Sequence, residues 1–120
     1  MSRIESKEER KMLLEKVQNL VKDNKRLLFT NLVPSQSGMS RTFNVYAQTK
    51  EGLVDITYLV ANITENTYTN KGKMRIHGCG MDMLFETCYQ LNSEYIRLNN
   101  LKYDHDLQYN GLVDTHYDLI

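Results

Sequence analysis

The sequence predicts an α+β fold: one small domain in which a short antiparallel sheet is covered by an N-terminal helix and by a long helix that follows a glycine turn. Three observations favour this class. The chain has 120 residues, which suffice for one hydrophobic core but not for two. Apolar residues recur at helical spacing near the beginning of the chain and again after residue 80. Between these stretches they alternate as in strands.

The composition is that of an ordinary folded protein, with 41% hydrophobic and 25% charged residues. No apolar run approaches the roughly eighteen residues that would span a bilayer, and the N-terminus lacks the apolar core of a signal peptide. We therefore expect a cytoplasmic protein without a membrane partner. Cys79 and Cys88 lack the spacing of a metal site, and two cysteines in such a chain are expected to be reduced.

Fifteen basic and fifteen acidic residues give zero net charge, but they are unevenly distributed. Residues 1–50 carry about +5 and residues 51–120 about −5. We expect the halves to attract each other within the fold or across a homodimer. Because a neutral chain has no overall positive field for a phosphate backbone, nucleic acid ranks last among the expected partners.

The first predicted element is a helix that begins after Ser6 and runs to about Asn24. The run Ser6-Lys7-Glu8-Glu9 matches a capping box, in which the serine hydroxyl and the glutamate satisfy early backbone N–H groups. The apolar residues that follow share one helical face, which predicts packing against the core. They are Leu13, Val17, Leu20 and Val21.

Two strands are predicted next, at residues 26–33 and 42–48, and together they form an antiparallel hairpin. Pro34, the only proline, ends the first strand. Residues 35–41 are rich in serine and glycine and form the polar loop at the tip of the hairpin.

The middle of the chain predicts a third strand at residues 53–56 and a short helix at residues 57–63 with Thr57 as its N-cap. A polar connector leads to a strand at residues 74–77. After the Gly78-Cys79-Gly80 turn, helical spacing runs from residue 81 to residue 98 and predicts the long helix.

The domain is predicted to comprise residues 1–98, with residues 99–120 as an acidic, tyrosine-rich C-terminal extension. The extension is too apolar to be a solvated tail, so we expect it to dock on its own domain or on a partner. Its carboxylates and imidazoles match no metal site in spacing, so neither a metal nor a cofactor is predicted. The predicted partner-binding residues are Met39 in the polar loop and, in the extension, Tyr103, Asp104, Asp106, Tyr109, Asp114, Tyr117 and Asp118.

Two motifs suit an anion: the Ser35-Gln36-Ser37-Gly38-Met39-Ser40-Arg41 loop and the glycine turn with the first residues of the following helix. Hydroxyls, a guanidinium and helix-start N–H groups all match phosphate oxygens. The alternative, which ranks ahead, is that Arg41 pairs with Asp82 while Asp82 caps its helix. The predicted ligand-binding residues are Ser37, Gly38, Ser40, Arg41, Gly78, Cys79, Gly80 and Asp82.

Cys79 stands before a helix and two residues from His77, an arrangement that favours a thiolate nucleophile. A third group that would orient the histidine is missing from the pattern. No catalytic residue is therefore assigned, and a non-enzymatic protein is expected.

Taken together, residues 35–41 and residues 78–85 resemble the paired motifs of a family of small bacteriophage and prophage proteins whose activity is not assigned. The resemblance covers roughly residues 26–92 and includes the Ile-Thr-Tyr-Leu-Val-Ala stretch at 56–61. Leu84 stands where the family pattern has glycine, and the extension is longer than the family pattern. The resemblance implies a phage origin and residence in the host cytoplasm, and it supplies no activity.

Three functions follow in order of preference. The first is a phage accessory protein that binds and inhibits a host protein, such as a CRISPR-type or toxin-type defence protein, because the chain is small, lacks a catalytic constellation and ends in an acidic aromatic segment. The second is a protein that binds or sequesters a nucleotide or signalling nucleotide. The third is a Cys79-dependent enzyme.

Overall fold

Four helices and eight strands form the regular structure of residues 6–30, 32–78 and 82–120, the parts of the chain that the computed structural model describes. The predicted α+β class is confirmed. No helix in these ranges is long and apolar enough to cross a membrane. In chain order the elements are α1 (Lys7–Val21), β1 (Arg26–Phe29), β2 (Val33–Pro34), β3 (Ser40–Phe43), β4 (Val45–Thr49), β5 (Gly52–Asp55), α2 (Thr57–Ile63), β6 (Thr67–Tyr68), β7 (Met74–His77), α3 (Met83–Leu98), α4 (His105–Asn110) and β8 (Asp114–Leu119).

Helix α1 begins where the capping pattern predicts. The Ser6 hydroxyl accepts a hydrogen bond from the Glu9 N–H at 3.3 Å, which satisfies one of the unpaired donors of the first turn. The helix ends at Val21 rather than near Asn24. Its buried face comprises Arg10, Leu14, Val17 and Val21.

The predicted hairpin is present, but both of its strands are divided at a bend. Thr30 follows β1 and Asn44 lies between β3 and β4. At the bend the Thr30 N–H donates to the Asn44 carbonyl at 3.1 Å, and the Asn44 N–H donates to the Thr30 hydroxyl at 2.8 Å. The prediction of two unbroken strands is therefore wrong, since each half of the hairpin belongs to a different sheet.

Each half of the hairpin is joined in its sheet by two further strands, β5 and β8 in one case and β7 and β6 in the other. The protein therefore has two sheets instead of the single predicted sheet. Sheet 1 has the order β5-β4-β1-β8 and is antiparallel except for the parallel β1–β8 pair. Sheet 2 has the order β2-β3-β7-β6 and is antiparallel throughout. The sheets share one core, in which the rings of Phe29 from sheet 1 and Phe43 from sheet 2 meet edge to face with centroids 5.6 Å apart.

Helix α2 occupies the predicted residues, but its N-cap is Ile56 rather than Thr57. The Thr57 hydroxyl accepts a hydrogen bond from the Val45 N–H at 2.8 Å, and the Asp55 carboxylate accepts one from the Thr57 N–H at 2.9 Å. Thr57 therefore ties the helix to sheet 1 instead of capping it.

Residues 99–120 fold against the rest of the chain through a buried side chain of α3. The Asn92 amide, which is 0% exposed, donates to the Gln108 carbonyl at 3.0 Å and to the Val113 carbonyl at 2.9 Å. Its oxygen accepts from the N–H groups of Leu112 and Val113, both at 2.9 Å. Four hydrogen bonds thus hold the turn between α4 and β8, which places β8 beside β1.

Ion pairs join the basic N-terminal half to the acidic C-terminal half. Arg10 in α1 is only 6% exposed, and its guanidinium pairs with Glu94 of α3 and lies 3.5 Å from a Glu65 oxygen. Arg26 lies 3.5 Å from Asp118. Opposite charges in the two halves therefore meet inside the fold, one of the two arrangements that the charge distribution predicts; the homodimer stays a prediction.

Candidate functional site

The two sequence motifs lie side by side because β3 and β7 are neighbours in sheet 2. Ser40 at the end of the polar loop pairs with His77 at the end of β7. One residue further, the Gly78 N–H donates to the Met39 carbonyl at 2.7 Å. Gly78 has a φ of +134°, a conformation that side chains disfavour, so glycine is needed where the chain leaves the sheet. The polar loop and the start of the glycine turn therefore adjoin.

The hydroxyl and N–H groups of the polar loop hold the loop itself. The Ser37 hydroxyl accepts from the Met39 N–H and the Ser35 hydroxyl accepts from the Ser40 N–H, both at 3.3 Å. The Gly38 N–H donates to the Ser35 carbonyl at 3.0 Å, and Gly38 has a φ of +75°. Because these groups are already engaged, the loop is a preformed turn rather than an open nest of unpaired donors.

The Arg41 side chain also donates hydrogen bonds to the polar loop. One of its terminal nitrogens, Nη1, donates to the Gly38 carbonyl at 2.8 Å and to the Ser40 carbonyl at 3.0 Å. A guanidinium has five N–H donors, and the Arg41 side chain is half-buried. Its other nitrogens form no hydrogen bond within the described ranges, so they remain able to bind an anionic group.

Asp82 does not take the structural role that the sequence predicts. It is the exposed N-cap residue of α3, but its side chain makes no capping hydrogen bond. No ion pair joins it to Arg41, whose guanidinium points to loop carbonyls instead. The predicted Arg41–Asp82 pair is therefore wrong. Cys79 and Gly80, the remaining predicted residues of the turn, lie outside the described residues.

The first turns of α3 face the core. Leu84, which stands where the motif resemblance has glycine, is 2% exposed, so its side chain fills the core. Cys88 is 0% exposed, and burial together with the nearby Asp114 charge raises the pKa of its thiol to about 12. A thiol with that pKa stays protonated at neutral pH, so Cys88 is a core residue, as the helical pattern predicts.

Sheet 2 carries a concentration of positive charge that the balance of the whole chain conceals. Residues 32–43 and 66–78 contain all four of its strands and the loops β2–β3 and β6–β7. They include four basic residues and no Asp or Glu, so the rest of the chain carries an excess of four acidic residues. The four basic residues are Arg41, Lys71, Lys73 and Arg75.

One face of sheet 2 packs on the core and the other is open. Phe43 and its partner Met74 are 0% exposed and point inward. The neighbouring row runs from Thr42 through Arg75 to Thr67, and Arg75 and Thr67 are exposed. Strand alternation places the remaining outward residues of β2 and β7 on this same side. We call this surface the basic face; it consists of Val33, Thr42, Thr67, Lys73, Arg75 and His77.

The cations of the basic face have few internal partners. The Lys73 amine donates to the Asn44 side-chain oxygen at 2.9 Å, a bond between neutral and charged groups that leaves the charge uncompensated. Arg75 and His77 form no ion pair or side-chain hydrogen bond within the described part of the chain. The Arg75 charge faces solvent. Because the strands of sheet 2 carry no acidic residue, this charge repels other cations and attracts anions.

Three predicted partner-binding residues of the extension are aromatic, and two of them pack internally. Tyr117 meets Phe29 edge to face with ring centroids 5.4 Å apart. Tyr109 meets Tyr89 with centroids 5.7 Å apart. Tyr103 is 62% exposed and is the aromatic residue of the extension that solvent reaches most fully among those described.

Of the four predicted acidic residues of the extension, three make contacts within the chain and one is exposed. The Asp104 carboxylate caps α4 by accepting from the Asp106 N–H at 2.8 Å, while the Asp106 side chain is exposed. Asp118 pairs with Arg26, and Asp114 accepts from the N–H of His116 at 2.9 Å. Among the described residues, no cluster of three or more His, Cys, Asp or Glu is arranged to hold a metal ion.

A cleft of about 250 Å³ lies between α1 and the turn after α4, and no sequence pattern predicts it. The Lys25 amine at its edge donates to the Asn110 carbonyl at 2.7 Å. Its lining residues come from separate parts of the chain and share no motif. They are Gln18, Val21, Lys22, Lys25, Tyr95, Gly111 and Leu112.

The chain has no match among protein families, curated proteins or solved structures. Inference about function therefore depends on the residues described above. Two features of sheet 2 bear on it directly: the basic face, and the preformed loop that adjoins the glycine turn.

Proposed function

We propose that this protein is a non-enzymatic binding protein whose contact surface is the basic face of sheet 2 together with the polar loop at its edge. The observation that carries the proposal is the absence of any acidic residue from a four-stranded sheet with an open face, in a chain of zero net charge. Such a surface favours an anionic partner, because positive potential steers and orients the encounter.

Exposed apolar side chains at the same edge favour a macromolecular partner. Val33 on β2 is 50% exposed, and Met39 at the loop tip is 63% exposed. The hydrogen bonds within the loop hold Met39 in place before any partner arrives, which reduces the entropy lost on binding. Methionine and arginine are both enriched at protein interfaces, and here both occur on one surface.

The motif resemblance supports a setting for this partner. A phage-encoded chain acts in the host cytoplasm, so the partner would be a host macromolecule that the protein occupies and inhibits. The acidic extension is less suited to this contact than the sequence predicts, because Asp104, Asp114 and Asp118 already bond within the chain.

Chromatography on an immobilised polyanion such as heparin tests the proposal. The native protein should require more salt for elution than the Arg75→Glu variant. Lys16→Glu is the matched control, since it makes the same change in net charge at an exposed position of α1, outside sheet 2. Equal retention of both variants would place the contact elsewhere and refute the proposal.

A small anionic ligand at the junction of the two motifs is a second candidate. It is favoured by the unused N–H donors of Arg41 beside the glycine turn. A thermal-shift screen with nucleotides and cyclic nucleotides tests it, because a tight ligand raises the melting temperature by mass action. Stabilisation that Arg41→Ala abolishes supports this site. No stabilisation by any ligand, with a lower melting temperature for Arg41→Ala alone, makes the motifs structural.

A further inference from the structure

We infer that the basic face binds the phosphate backbone of a single-stranded nucleic acid. This inference rests on the proposed function, because it names the partner of the same surface.

The cations Lys73 and Arg75 of the basic face lie in one straight row with the His77 imidazole. Lys73, Arg75 and His77 alternate with the buried residues of β7, so neighbours in the row are about 6.7 Å apart along the strand. A nucleic acid strand is also a linear array with one negative charge per nucleotide. The row of basic side chains therefore suits a linear polyanion.

Hydroxyl groups flank the row on both sides. Thr42 on β3 and Thr67 on β6 are the cross-strand partners of Arg75, so a guanidinium stands between two hydroxyls. Arginine, lysine and threonine side chains are the usual donors to phosphate oxygens. Because Arg75 and His77 have no acidic partner within the described ranges, binding costs no internal ion pair.

The shape of the surface favours a single strand over a duplex. The basic face is an open sheet with strands of four residues or fewer, and it presents no helix that would enter a groove. Met39 at the loop tip, which is 63% exposed, can contact an unstacked base. The short strands accommodate only a few nucleotides.

Zero net charge does not oppose this assignment. At physiological ionic strength, charges further away than about 8 Å are largely screened. Lys73 and Arg75 lie on the basic face itself, whereas the acidic residues belong to other elements. Those nearest in sequence are Glu65, two residues before β6, and Asp82, the N-cap of α3. A bound strand therefore experiences the local positive potential rather than the average of the chain.

Fluorescence anisotropy with labelled oligonucleotides of about 12 nucleotides tests the inference, using oligo-dT, oligo-rU and a duplex of equal length. If Lys73 and Arg75 neutralise two phosphates, the affinity for a single strand should fall about sevenfold between 50 and 200 mM salt. Arg75→Glu should weaken binding at least tenfold and reduce the salt dependence, while Lys16→Glu should stay within about twofold of the native protein. Comparison of oligo-dT with oligo-rU identifies which strand chemistry is preferred.

Labelled poly-glutamate in a parallel titration separates the inference from the proposed function. If poly-glutamate binds through Arg75 and no oligonucleotide binds at about 100 μM protein, the nucleic acid inference fails while the binding surface stands. Equal affinity for duplex and single strand refutes the single-strand assignment. If neither polyanion binds, both the inference and the proposed function fail.

Discussion

Replacing Asn92 by alanine tests how the C-terminal segment is held in the fold. The Asn92 side chain is 0% exposed and makes four hydrogen bonds with the backbone on both sides of the turn between α4 and β8. Alanine removes all four and leaves two backbone N–H groups and two carbonyls of Gln108, Leu112 and Val113 without this partner.

The expected loss of stability follows from the number of bonds. A buried polar group left without a partner costs about 1–3 kcal/mol. Relaxation of the turn and entry of water into the vacated space offset part of the sum, so we expect the free energy of unfolding to fall by about 4 kcal/mol. With a urea dependence of about 2 kcal/mol per molar, the midpoint of unfolding should move by about 2 M.

Urea denaturation followed by circular dichroism measures this change, with Asn99→Ala as the matched control. Asn99 donates only one side-chain hydrogen bond, to the Tyr95 carbonyl of its own helix at 2.9 Å, and it is half-buried. Its replacement should cost less than about 1 kcal/mol. A loss for Asn92→Ala that is no larger than this control would refute the reasoning. Hydrogen exchange at the Leu112 and Val113 N–H groups gives an independent readout of the same turn.

Two further predictions concern titratable groups. The folded Cys79→Ser variant should resist iodoacetamide at about pH 8, because the pKa of its remaining cysteine, Cys88, is about 12. After unfolding in urea the same variant should react. Labelling of the folded variant as fast as the unfolded one would contradict this prediction. Partial burial opposes ionisation of Asp114, but hydrogen bonds from His116 and the charges of His116 and Arg26 hold its pKa below the usual value. Its contribution to stability is therefore present above about pH 4 and lost as the pH falls through the lowered pKa. Asp114→Asn should lower the melting temperature near pH 6 but not near pH 2, and an equal decrease at both would exclude the carboxylate as its source.

The elements with a local signal could be predicted from the sequence. The capping box at Ser6, the period of α3 and the apolar alternation of β7 each act within a few residues, so their elements are found where the pattern predicts. Helix α3 ends at Leu98, as predicted. The N-cap of α2 was misassigned because the hydroxyl of Thr57 bonds to a residue twelve positions earlier, and no local pattern records such a contact.

The division of the hairpin depends on long-range bonds and could not be predicted. Asn44 donates from its side chain to the Gly72 carbonyl at 2.7 Å and to the Thr57 hydroxyl at 3.2 Å. These partners hold the bend between the two sheets, yet Asn44 interrupts an alternation that otherwise reads as one strand. Strand propensity cannot report where a sheet ends when distant side chains determine it.

The candidate site shows the same limit. Both motifs are visible in the sequence, but their contact depends on the register of β3 with β7, which pairs Ser40 with His77. Register also decides that Arg75 faces solvent between two threonines. The composition of each motif thus indicates that its groups can bind an anion. The pairing of strands distant in sequence determines which of these groups face solvent and have no partner within the described residues.

The zero net charge of the chain conceals a local excess of positive charge in sheet 2. The neutral chain predicts nucleic acid as the last-ranked partner, whereas the four strands of sheet 2 and the loops β2–β3 and β6–β7 contain no acidic residue. Outside sheet 2, internal ion pairs such as that of Arg10 in α1 with Glu94 in α3 compensate charges of both signs. Partners respond to the charges that internal pairs leave uncompensated on a surface, so the proposed partner of this protein is inferred from the basic face rather than from the net charge.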